Sequence, residues 1–267
     1  MPPAEGGGME INMEQVIFSK RTNKKYSPGV GRDEFVCLEV NIPKKSDFFK
    51  RVLAYAHMIT PNLNKGGANT SEERTDDIVE IDNRSGLIAE LACEEILSWL
   101  YGKNNVSKPS NMSSHNQIDI MIGGKTVEVR SSCVRNGIDF AIFAPDKKNN
   151  NDSYFDVIGP YSNGYKPGEI EKDYYLRVLY EVEKKQFDSL LMKEYLRLFI
   201  TGGATKQMMN DPLKYKVKHL LPAGGEVEIE SDYRVIPLAK SLDATEFFDT
   251  LEKENMQLKK LRRIARR

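Results

Sequence analysis

The stretch 117–130, QIDIMIGGKTVEVR, constrains the fold more than any other part of the chain. Ile118, Ile120 and Ile122 alternate before Gly123-Gly124, and Val127 and Val129 alternate after it. Side chains along a strand point to opposite faces in turn, so these apolar residues share one face of a strand pair. Gly-Gly readily adopts the positive φ that a two-residue hairpin turn demands. Such a turn fixes register: Ile122 faces Lys125, Ile120 faces Val127 and Ile118 faces Val129. On the other face it sets Asp119 opposite Glu128 and Gln117 opposite Arg130.

Two carboxylates directly opposed on adjacent strands, with Cβ atoms roughly 4.5–5.5 Å apart, repel one another. A bound divalent cation removes the conflict. Mg²⁺ suits carboxylate oxygens, lowers the pKa of a bound water and stabilises charge developing on a phosphate. Asp119 and Glu128 are therefore the expected metal ligands. Arg130, one pleat further on, is the expected phosphate contact. The plainer alternative is a solvated hairpin face on which Arg130 neutralises Glu128.

The pattern before the hairpin predicts a buried helix over 86–101 (GLIAELACEEILSWLY), with Ser85 as a candidate N-cap. Its apolar residues cover most of the circumference, leaving Glu90, Glu94 and Ser98 on a narrow stripe at i, i+4 spacing. Glu90 reads either as a rim carboxylate or as a group assisting the metal site. Further expected elements are a strand over 35–42, a helix over 46–58 and strands over 117–122, 125–134, 138–143, 173–182 and 194–200. Residues 62–77, 103–116 and 145–172 read as loops, the last with a short strand near 154–158. Gly202-Gly203 reads as a turn, or as backbone N–H groups facing a phosphate, that leads into a helix over 204–209. A capping box of Asp243 and Glu246 opens a C-terminal helix over about 243–267 that ends in a basic run. That run is either a DNA-backbone contact or a solvated helix end. The expected fold class is mixed α/β, a central sheet flanked by helices. Residues 1–8 read as a disordered tail and 9–267 as one domain, with a core at about 82–200.

Glu90 on a helix, Asp119 on a first strand and Glu128-Val129-Arg130 on a second resemble the PD-(D/E)XK nuclease superfamily, and within it the type II restriction endonucleases. The likeness spans about residues 82–143. It implies a restriction-endonuclease-like core and Mg²⁺-dependent hydrolysis of double-stranded DNA, with Asp119 and Glu128 on the metal and Glu90 assisting. The chain departs from the pattern by carrying Arg130 where the superfamily has lysine. Arginine stays protonated and cannot act as a base. Lys125 is the alternative cation, and Lys206, after the Gly-Gly pair, is a further candidate DNA contact. One site per chain acting on a two-stranded palindrome implies a homodimer.

Composition excludes several other classes. With 39 basic and 39 acidic residues the chain does not coat nucleic acid by net charge. It has no apolar run long enough to span a bilayer and no phosphate-binding P-loop motif. His57, His115 and His219 are scattered, and three cysteines without metal-ligand spacing suit a reducing cytoplasm. The expected activity is a restriction-like endodeoxyribonuclease. A structure-selective repair nuclease and a non-catalytic DNA-binding module are the alternatives.

Overall fold

A computed structural model of the chain describes residues 16–23, 32–59, 76–109, 118–144, 155–163, 169–219 and 232–266. The expected tail at 1–8, the loop over 62–75, Gln117, His115, the side chain of His57 and most of the 145–172 segment lie outside them.

The elements run in chain order as β1 (Val16–Thr22), β2 (Glu34–Pro43), α1 (Asp47–Ile59) and α2 (Asp76–Tyr101). Next come β3 (Val106–Ser107), β4 (Ile120–Ile122), β5 (Lys125–Cys133) and α3 (Ile138–Phe143). They are followed by β6 (Asp156–Tyr161), β7 (Tyr174–Tyr180), α4 (Phe187–Leu191), β8 (Tyr195–Thr205) and α5 (Lys206–Met209). The chain ends with β9 (Lys216–His219), β10 (Asp232–Pro237), α6 (Ala244–Glu254) and β11 (Ala265–Arg266). Among the described residues no helix is long and apolar enough to cross a membrane.

The fold is α/β, as expected. A large mixed sheet has the order β11-β1-β2-β8-β7-β5-β4-β3, and a small antiparallel one the order β6-β10-β9. Every residue of β7 is buried, as a strand covered on both faces requires. Tyr174, Leu176, Val178 and Tyr180 enter a core shared with α1, α2, α4 and α6. Tyr175 and Leu179 enter a second core shared with α3, α5 and the small sheet. Strand β5 lies parallel to β7, with Glu128 beside Tyr175 and Arg130 beside Arg177.

Several expectations need correction, among them the loop over 103–116, where Val106–Ser107 forms β3. Residues 138–143 form helix α3, not a strand. Their β-branched content is high, but Ile138, Ala141 and Ile142 are buried at helical spacing behind Gly137, whose φ is +86°. Helix α2 begins at Asp76, so Ser85 is no N-cap; its Oγ donates to the Asp82 carbonyl inside the helix. Strand β8 continues through Gly202-Gly203 to Thr205, leaving only Lys206–Met209 as helix. A Cβ on Gly203 would stand 1.9 Å from the Tyr175 carbonyl oxygen, and one on Gly202 2.2 Å from that of Leu242. The glycines thus let β7 and the chain entering α6 approach β8, and they do not form a turn. The Asp243/Glu246 capping box is present, but α6 stops at Glu254. The chain then turns at Met256-Gln257 and continues without regular structure to β11, which pairs in parallel with β1.

Candidate active site

The β4–β5 hairpin has the register expected from its turn, Ile120 with Val127, Met121 with Thr126 and Ile122 with Lys125. Gly123 and Gly124 take φ of +55° and +80°, which suits a two-residue turn twisted with the strands. Beyond Ile120 the ladder ends. Asp119 is not a strand partner of Glu128; its Oδ2 accepts a hydrogen bond of 2.8 Å from the Val129 N–H. The side chain thus takes up a backbone donor that a longer β4 would have satisfied.

Asp119 is 7% exposed. It lines a cleft of about 400 Å³ together with Glu90, Glu128 and Arg130, so all four residues expected at the site converge. Glu90 comes from α2, which is pinned to β7 by the Tyr180 hydroxyl donating 2.8 Å to the Ser85 carbonyl. Its Oε2 accepts 2.7 Å from Lys108 Nζ. Glu128 Oε1 lies 2.5 Å from Arg130 Nη2, and Arg130 Nε is buried without a hydrogen-bond partner among the described residues. Lys125 lies elsewhere, 3.4 Å from Asp173, whose other oxygen accepts from Thr126. Lys206 also sits off the cleft, 3.6 Å from Glu171.

Among the lining residues that the sequence pattern does not mark are Lys172 and Glu169. Lys172 lies two residues before β7, is 3% exposed and borders the same cleft. Its backbone N–H donates 3.0 Å to the Tyr175 hydroxyl, which fixes the turn into the strand. A lysine so buried is rare unless a charge or a reaction requires it. Glu169 also borders the cleft and accepts from the Tyr161 N–H at 2.9 Å. Local pattern offers no signal for either residue, because both reach the cleft only through the parallel pairing of β7 with β5.

The electrostatics are those of crowded acid. Asp82, Glu90, Asp119, Glu128 and Glu169 line the cleft against Arg130 and Lys172. Burial, reinforced by the charges of Glu90 and Glu128, pushes the Asp119 carboxyl up to about 7, against the Val129 N–H and Arg130, which pull it down. Burial likewise raises Glu94 on the neighbouring turn of α2. The Arg130 guanidinium is held still more firmly protonated by Glu128.

The donor set is hard carboxylate oxygen, the chemistry that fits Mg²⁺. Compactness is less favourable: among the described residues no three His, Cys, Asp or Glu side chains stand close enough together to hold a metal ion. Glu90 and Glu128 are turned to Lys108 and Arg130 instead. A cation here would compete with those two ion pairs and relieve the repulsion that raises Asp119.

The chain is 23% identical to an uncharacterized protein, MJECS01, of Methanocaldococcus jannaschii over an alignment of 282 residues, covering 89% of this chain and 93% of that protein. No family model matches the chain, and no solved structure matches it.

Proposed function

We propose that this chain is a divalent-metal-dependent endodeoxyribonuclease of restriction-enzyme type with a restriction-endonuclease-like core. The observation that carries the reading is the convergence of Asp119, Glu128 and Glu90 with Arg130 and Lys172 in one polar cleft. Two elements of one hairpin, a helix and the lead into a parallel strand supply these groups.

Asp119 and Glu128 are the residues that would hold Mg²⁺, with Glu90 beside them. When bound, such an ion supplies Lewis-acid stabilisation of the phosphate and an acidified water. Arg130, permanently charged, orients a non-bridging phosphate oxygen and offsets charge in the transition state. Lys172 fills the part that arginine cannot. Its side chain borders the same cleft and, as the neutral amine, can accept the proton that the attacking water loses, becoming the ammonium. The Val129 N–H keeps the Asp119 carboxylate fixed while this occurs. The substrate in this reading is double-stranded DNA, cut by a homodimer whose two-fold axis matches a palindromic target. Free, mostly buried Cys37 and Cys93 suit action in a reducing cytoplasm.

A non-catalytic DNA-binding module is favoured by one observation, the pairing of Glu90 and Glu128 with Lys108 and Arg130. Incubating the protein with supercoiled plasmid in Mg²⁺ or in EDTA separates the readings. Discrete fragments in Mg²⁺ alone support the restriction type, and nicking or cleavage restricted to branched DNA supports a repair nuclease. An intact plasmid refutes the nuclease.

A further inference from the structure

The cleft poses a problem that a second surface answers. Among the described residues five carboxylates line the cleft against two cations, a balance that disfavours a polyanion and leaves affinity for DNA to a second surface. A groove of about 490 Å³ lies where the α5–β9 connection passes the start of α6. Its lining is of opposite sign: Lys214, Lys216 and Lys240 border it, and the one acid among its described lining residues, Glu246, is bound at 2.8 Å by Arg32. None of the three lysines has a carboxylate in ion-pair reach among the described residues, and all three are exposed. Many other cations of the chain are paired, as Lys108, Arg130, Lys206, Lys218 and Arg234 are. Tyr215 borders the groove between the lysines, and Leu213 stands 95% exposed beside it.

A chain of contacts joins groove and cleft. Lys172 in the cleft is followed back by Glu171, whose carboxylate lies 3.0 Å from Arg234 and 3.6 Å from Lys206. The Arg234 guanidinium lies 5.7 Å from the centre of the Tyr215 ring. These contacts link the lining of the groove to the segment that carries Lys172.

We propose that Lys214, Lys216 and Lys240 bind the sugar-phosphate backbone of duplex DNA in this groove, holding the substrate whose cleavage the preceding section assigns to the cleft. The lysines neutralise phosphates, while Tyr215 and Leu213 pack on the deoxyribose. Such contacts position the duplex and are insensitive to its sequence.

The test is fluorescence anisotropy of a short labelled duplex with the full chain in EDTA, over a range of salt. The triple variant Lys214→Ala/Lys216→Ala/Lys240→Ala changes only exposed residues and should fold normally, which circular dichroism checks. It should bind at least about tenfold more weakly, with the salt slope reduced by about 0.9 for each phosphate contact removed. Glu128→Gln should bind at least as tightly as wild type. Equal binding and equal slope in the triple variant would overturn the proposal, as would no wild-type binding. Poly-glutamate competing as well as DNA would reassign the groove to an acidic protein. Binding through the lysines without cleavage keeps the groove and sinks the nuclease; cleavage with unchanged binding in the triple variant does the reverse.

Discussion

Replacing Asp119 with asparagine should make the metal-free protein more stable at alkaline pH while removing its activity. Asparagine is isosteric, and its Oδ1 can still accept from the Val129 N–H that Asp119 Oδ2 holds at 2.8 Å. What the change removes is a negative charge buried beside Glu90 and Glu128. In the folded chain burial and those neighbours raise the carboxyl from 3.8 to about 7. A carboxyl raised on folding binds more protons folded than unfolded, so stability falls as pH rises through that window. At about 1.4 kcal/mol per pH unit of separation, the cost approaches roughly 4 kcal/mol once the group is fully ionised. Wild type and Asp119→Asn should therefore unfold at the same urea concentration near pH 4. They should diverge up to pH 7, and the variant should be about 2–4 kcal/mol the more stable at pH 8 in EDTA. Mg²⁺ should narrow the gap by stabilising wild type alone. A variant that is equally or less stable than wild type at pH 8 would refute the crowded-acid account of the cleft.

Lys172→Met should lose about 10²-fold or more in single-turnover cleavage of duplex DNA with binding in EDTA little changed, and Lys172→Arg should fail to restore the rate at neutral pH. Equal rates in Lys172→Met and wild type would remove Lys172 from the reaction. Leu258 is 3% exposed in the irregular segment after α6 and packs over the Gly123 turn. Leu258→Ala should cost about 2–4 kcal/mol by urea denaturation, and a loss below about 0.5 kcal/mol would mean that the segment is not docked there.

The features legible in the sequence were those set by local chemistry. The Gly123-Gly124 turn fixed its own register, and the Asp243/Glu246 box marked the start of α6, because each depends on residues a few positions apart. The convergence of Glu90, Asp119, Glu128 and Arg130 was also legible, since a helix followed by a hairpin brings them together by short connections. The part that stayed hidden depends on distant pairing. Lys172 reaches the cleft that Glu128 lines through the parallel pairing of β7 with β5, and Gly202-Gly203 reads as a turn until β7 and the chain before α6 are seen pressed against it. Asp119 fell between the two cases. Its position near Glu128 followed from the register, but the early end of β4 turned its carboxylate onto the Val129 N–H. Helix α3 was misread because Ile138, Phe140, Ile142 and Phe143 favour strands by composition, whereas the burial of three of them follows a helical period.

The central claim is that the cleft hydrolyses phosphodiester bonds using the carboxylates of the hairpin. Glu128→Gln keeps the size of the side chain and removes its charge, so the most direct measurement is the single-turnover rate of cleavage of a labelled duplex in Mg²⁺ by wild type and this variant. The account predicts metal-dependent cleavage by wild type and a rate lower by about 10²-fold or more in the variant. Equal rates, or cleavage by wild type that persists in EDTA, would contradict it.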